Sequence, residues 1–172
     1  MSGRVQPPSL AEREVPGPGQ ESVWDYPRPP RVEATEERVL IELGGVLIAD
    51  TTRALRVLET SHPPAYYLPP DAFIDGALVP VDGTSWCEFK GAATYLDVVG
   101  GELRAERAAW TYPRTTDPFS MLAEHVSLYP GRMDRVTVDG EVVRPQEGDF
   151  YGGWITDRVV GPFKGSPGSH YW

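Results

Sequence analysis

Apolar residues in this chain alternate with polar ones far more often than they recur at helical spacing, which predicts a succession of short strands. Val39, Ile41 and Leu43 alternate, Gly44-Gly45 turns the chain, and Val46-Leu47-Ile48-Ala49 returns as the second arm of a hairpin. Ala54 to Thr60 fits either period; Pro63-Pro64 beyond it and the lack of a capping box favour a strand. Ala65 to Leu68 is a short aromatic strand closed by Pro69-Pro70, and Asp71-Ala72-Phe73 makes one helical turn with its acid at the N-terminus. Leu78 to Val81, with Pro80 inside it, reads as an edge strand; Asp82-Gly83 then turns the chain into the longest strand, Cys87 to Val99. Gly100-Gly101 turns it again and Arg107 to Tyr112 returns. Asp at a cap position followed by Pro118 opens a short helix over 117–124. Val126 to Tyr129, Arg135 to Val138 and Glu141 to Arg144 complete the strands, the last two joined by the hairpin dipeptide Asp139-Gly140. The expected fold is mainly β, a sandwich or partly open barrel with one short helix.

Four regions follow from the same pattern. Residues 1–21 lack apolar periodicity and are expected to be disordered. Residues 22–37 carry Trp24 and Tyr26 ahead of a Pro-rich stretch, and are expected to dock on the domain because such rings bury well. The domain itself runs over 38–144. Residues 145–172, rich in Gly and Pro, keep enough apolar residues to wrap around it.

Composition narrows the function classes. The chain has 172 residues, enough for one domain with a core, and 18 Gly with 18 Pro favour turns over helices. A net charge of −9 argues against nucleic acid and anionic membrane partners. No apolar run reaches the length of a membrane span, and the N-terminus shows no secretory h-region, so the expected location is the cytoplasm. A single cysteine excludes an internal disulfide and a multi-cysteine zinc site; no metal and no cofactor is expected.

Several motifs occur in an order that resembles a known bacterial family. They are Glu59 followed by Tyr66-Tyr67-Leu68-Pro69; Cys87-x-x-Lys90-Gly91-x-Ala93-x-Tyr95; Ala109-Trp110-x-Tyr112-Pro113; and Val126-x-Leu128-Tyr129 before the valine hairpin. Over Arg38 to Arg144 the chain resembles the domain-of-unknown-function 427 family, and its flanks resemble those of longer, actinobacterial-type members. Where members often carry Pro after the cysteine, Glu88 stands here. The resemblance implies a β-tent-like domain, two antiparallel sheets packed at an angle, and no settled function. Similar folds elsewhere are pinned by zinc on cysteine knuckles, which one cysteine cannot supply. A nucleotidyltransferase-like label has attached to the family; that chemistry needs paired acidic metal ligands beside a Gly-Ser loop, and the nearest spacing, Asp139-Gly140-Glu141, is more simply a hairpin turn.

Candidate chemistry centres on the one cysteine and one of the two lysines, three residues apart. Cys87 beside the Lys90 ammonium would be a more reactive thiol, with His62 or His125 as the base; the commoner fate of an unpaired cysteine is a small buried side chain. Lys90 would hold a carboxylate or phosphate of a ligand, or would serve as an edge charge or an ion pair with Glu59 or Glu88. Tyr66, Tyr67, Tyr95, Trp110, Tyr112 and Tyr129 could wall a small-molecule pocket or simply fill a small β core. His62-Pro63-Pro64 could cap the pocket mouth, though His62 reads rather as a loop residue without a role. The leading expectation is a pocket between the sheets, lined by Tyr66, Tyr95, Trp110 and Tyr112 and made polar by Lys90 and Glu59, taking a small polar or anionic metabolite. The alternatives are an enzyme acting covalently through Cys87 or Lys90, and an interaction module presenting the Pro-rich segment. Oligomeric state is not legible.

Overall fold

The structure, a computed structural model, describes residues 6–87, 89–148, 151–166, 168–169 and 172. In chain order its strands are β1 (Glu21–Ser22), β2 (Arg31–Ala34), β3 (Val39–Leu43), β4 (Val46–Thr51), β5 (Leu55–Leu58), β6 (Ala65–Tyr67), β7 (Leu78–Cys87) and β8 (Gly91–Gly100), then β9 (Leu103–Thr111), β10 (Val126–Leu128), β11 (Arg135–Val138), β12 (Glu141–Val142), β13 (Arg144–Pro145), β14 (Trp154–Ile155) and β15 (Val159–Val160). No helix among the described residues is long and apolar enough to cross a membrane.

The fold is mainly β and sandwich-like. Three antiparallel sheets carry it, in the orders β10-β9-β8-β7, β12-β11-β3-β4 and β2-β5-β6. Leu68 and Val126 exchange backbone hydrogen bonds of 2.8 Å, which joins β6 to β10 and runs the first and third sheets together. The main core lies between this joined layer and the β3–β4 layer. Ile41, Ile48, Leu68, Val98, Leu128 and Val136 meet there, with Trp154 from the tail stacked 5.0 Å from Tyr66. The flanking segments add two short pairs, antiparallel β13–β14 and parallel β1–β15.

The hairpins form where the glycines predict. Gly44 and Gly45 both have positive φ, as do Asp139 and Gly140, the backbone of a two-residue turn that suits the twist of its strands. Gly100 has a different reason to be small. Two hairpin tips meet there, and a Cβ would stand 2.2 Å from the carbonyl oxygen of Leu43.

Two expectations need correction. Asp82-Gly83 does not turn the chain. It is a bulge inside β7, held open by the Arg107 guanidinium, which donates to the Asp82 carbonyl at 2.6 Å; the turn comes at Phe89-Lys90, so Cys87 ends one strand and Lys90 precedes the next. Pro80 fits because β7 is the edge of its sheet. The helix over 117–124 is instead a pair of 3-10 turns spanning Asp117–Leu122, interrupted at Phe119. Thr116 holds the cap position, but its hydroxyl donates to the carbonyl of Phe89 and leaves the helical N–H groups uncapped.

The flanks attach through a buried cation. Strand β5 presents Leu55 and Val57 to one side and Arg56 and Leu58 to the other. Arg56 is fully buried; Glu21 from the N-terminal flank meets it at 2.6 Å and Glu33 at 3.4 Å, while Arg158 from the tail reaches Glu37 at 2.7 Å and Glu21 at 3.6 Å. Burial works against the Glu21 carboxylate, but its bonds to Arg56 outweigh that and hold its pKa below the usual range. Glu21→Ala removes the shortest partner of a buried charge and is expected to lower the unfolding free energy by about 3 kcal/mol. Asp71→Ala, which breaks the exposed Arg53–Asp71 pair, is expected to move it hardly at all. Equal losses in urea titrations of the two variants would contradict this ranking.

Candidate functional site

The same alternation that buries Arg56 on one side of β5 builds a cavity on the other. Continuing the parity of Leu55 and Val57 puts Glu59 at its edge, and on β6 the partners Ala65 and Tyr67 face the same way. Opposite them stand Cys87 and Ser85 of β7, Ala93 and Tyr95 of β8, and Trp110 with Tyr112 from β9 and its extension. The space enclosed is about 310 Å³, at the small end of the range for ligand pockets. Tyr151, Gly152 and Gly153 of the tail form a further wall; a Cβ on Gly152 would lie 2.3 Å from the Trp110 ring, so only glycine lets the tail pass this close.

The aromatic wall is cross-braced. Trp110 Nε1 donates to Tyr67 Oη at 3.0 Å, and the Trp110 ring lies 4.8 Å from that of Tyr129. Tyr95 Oη donates to Ser85 Oγ at 2.8 Å, with the Arg107 guanidinium 4.4 Å from its ring. Burial, with Tyr67 and Cys87 close by, pushes the Tyr112 hydroxyl well above its ordinary pKa, so it stays neutral.

Polar groups gather at one end: Glu59, His62, Lys90 and Gln146. The Lys90 ammonium lies 5.8 Å from the Tyr112 ring, with Cys87 near enough to act on its protonation. Burial pulls the ammonium down, but Tyr67, Cys87 and Glu59 together raise its pKa above the ordinary lysine value. Among the described residues it has no carboxylate within 4 Å. Glu59 pairs instead with Arg28 of the N-terminal flank at 3.3 Å, and Glu88, the other expected partner, lies outside the described residues. His62 is driven the other way. Burial, aided by Lys164, Arg28 and Lys90, lowers it to about 3, so its ring is neutral near pH 7.

Of the residues singled out in the sequence, the structure brings Glu59, Cys87, Lys90, Tyr95, Trp110 and Tyr112 to this one cavity. Tyr66 is not among them. It has the opposite parity on β6, so it faces the main core, stacks on Trp154 and donates to Glu37 at 3.0 Å. Its neighbour Tyr67 takes the wall position. His125 does not line the cavity; its ring nitrogen meets the Ala123 carbonyl. His62, for which the sequence favoured a loop position over the pocket mouth, lines the cavity; Gln146 was missed altogether, because it lies in an irregular tail with no motif.

A family model described as Domain of unknown function (DUF427) matches residues 31–139, more than half of the chain. The chain belongs to that family. No curated protein matches it in sequence. The DUF427 match covers β2 to β11, so Arg28, Gln146 and Tyr151 join the cavity's polar end from outside the matched region.

The neutral state of His62 has a measurable cost in acid. Between the unfolded value near 6.5 and the folded value of about 3, the unfolded chain binds a proton that the native ring refuses, so stability falls as pH drops through that window. His62→Gln is expected to flatten this part of the stability profile. Identical urea midpoints for the parent at pH 6.5 and pH 4.5, relative to the variant, would show that the ring titrates normally.

Proposed function

We propose that the chain is a small-molecule-binding β domain whose ligand brings an anionic group to Lys90. One observation carries this reading: a lysine ammonium faces an aromatic cavity with no carboxylate within 4 Å among the described residues. An ammonium withdrawn from water is costly unless an anion accompanies it, and among the described residues the groups that favour the cation are a cysteine, rings and a more distant Glu59. The apolar wall then suits the body of a small polar or anionic metabolite. The family resemblance suggests a bacterial source, and on composition we place this activity in the cytoplasm. Thermal-shift titration with millimolar carboxylates and phosphates tests it: anions are expected to raise the melting temperature of the parent, and Lys90→Ala to abolish the rise while leaving the fold intact. A flat response from the parent to every anion would refute it.

The nearness of Cys87 to the ammonium at one cavity favours a second reading, in which the thiol reacts covalently with a bound substrate. Lys90 is the weaker covalent candidate, because its raised pKa keeps it protonated. Alkylation of Cys87 against pH separates the two readings. A midpoint well below the free-thiol value of about 8.5, shifted upward by Lys90→Ala, would support the nucleophile. A midpoint at that value returns Cys87 to the wall of a binding site.

A further inference from the structure

Gln146 settles which nitrogen of His62 carries the proton. The backbone N–H of Gly153 donates to Gln146 Oε1 at 3.1 Å, and Gln146 Nε2 donates to the carbonyl of Lys164 at 2.6 Å. Turning the amide over would set its NH2 against an N–H and its oxygen against a carbonyl, so two backbone groups fix its orientation. The same Nε2 lies 3.3 Å from His62 Nδ1. That ring nitrogen must therefore accept, and the imidazole proton sits on Nε2. Nε2 points toward Glu59 Oε2, but at 3.6 Å it is beyond hydrogen-bond range.

Two donors thus share the polar end of the cavity, each without an acceptor at hydrogen-bonding distance among the described carboxylates: one charged, Lys90, and one neutral, His62. Arg28 and Lys164 stand nearby but are occupied. Arg28 holds Glu59 and the carbonyl oxygens of Thr60 and Trp172; Lys164 holds the Trp172 oxygen and lies 5.7 Å from the Tyr151 ring. One ammonium, one neutral N–H and a fixed carboxylate close by suit an anion with one charge and two oxygens. A dianion would turn its second charge on Glu59.

We infer that the head group bound here is a single carboxylate, held by the Lys90 ammonium on one oxygen and by His62 Nε2–H on the other, with Gln146 as the residue that positions the imidazole. This rests on the anion-binding reading above and narrows its ligand to a small monocarboxylate with an apolar or aromatic body. Because His62 donates as a neutral ring, binding does not fade as pH rises past the ordinary histidine range.

The test uses the full chain, 3-phenylpropionate and phenyl phosphate as probes, calorimetric titration, and long-range proton–nitrogen NMR of labelled histidine. The expected results are an Nε2–H tautomer, 3-phenylpropionate bound with an affinity flat from pH 5.5 to 8, and weaker or no binding of phenyl phosphate. His62→Phe, which keeps the ring and removes the donor, is expected to weaken 3-phenylpropionate about tenfold, as the loss of one charge-assisted hydrogen bond would. Gln146→Leu is expected to weaken it and to bring the Nδ1–H tautomer into the NMR spectrum, because the donor that obliges Nδ1 to accept is gone. An Nδ1–H tautomer in the parent, or an affinity that collapses above pH 6.5, overturns the inference. Phenyl phosphate binding through Lys90 while 3-phenylpropionate does not bind also overturns it but leaves the anion site standing. Binding of neither probe overturns both.

Discussion

The fully buried guanidinium of Arg56 is the constraint on which the rest of this structure depends. A cation with no exposed surface can persist only if carboxylates come to it, and the domain's own strands supply just part of that. Glu33 reaches it from β2, but the closest oxygen belongs to Glu21, in a flank outside the region that defines the family. Arg158 then bridges the same carboxylates to the tail. The result is a network in which two irregular segments become part of the fold. Val23 and Trp154 are both wholly buried, so the flanks also supply apolar area and are not mere decoration.

Because strands alternate, fixing Arg56 on one face of β5 fixes what the other face must be. Val57 and Glu59 turn away from the ionic network and toward the cavity, and the register of β5 with β6 carries Tyr67 with them. A slip of one residue in β5 would set an apolar side chain against Glu21 and Glu33 and place a guanidinium in the aromatic hollow. The cavity and the network are therefore two consequences of one register. The tail closes the relation: Trp154 stacks on Tyr66 in the core, and the adjacent Gly152 and Gly153 are pressed against Trp110 and Pro63 at the cavity.

Much of the fold was legible in the sequence because alternation and turn chemistry are local. Gly44-Gly45 and Asp139-Gly140 announce their hairpins through the positive φ such turns require. Asp82-Gly83 looked the same and was not, because a guanidinium 25 residues away props it open as a bulge, and no local pattern records that. The candidate site was legible in kind. Lysine used so sparingly marked Lys90, and strand ends rich in Tyr and Trp marked the wall. Which of Tyr66 and Tyr67 faced the wall depended on the face that Arg56 took. Gln146 left no signal, since it lies in a tail that crosses back to His62 more than eighty residues later.

The sign of the two perturbed groups shows what such a cavity can do. Burial alone would push both Lys90 and His62 toward neutrality, yet only the histidine goes. Lys90 keeps its proton because Tyr67, Cys87 and Glu59 lie around it as groups that favour the cation, whereas His62 is hemmed in by Lys164, Arg28 and Lys90 itself. Each lysine of the chain thus helps to hold the histidine neutral, and Gln146 decides where its proton rests. In the proposed site one charge and one dipole would discriminate by geometry as well as by charge: a ligand would have to offer two acceptors, and a second negative charge would meet Glu59. On that proposal the imidazole is already held by Gln146 before a ligand arrives, so less ordering would oppose binding.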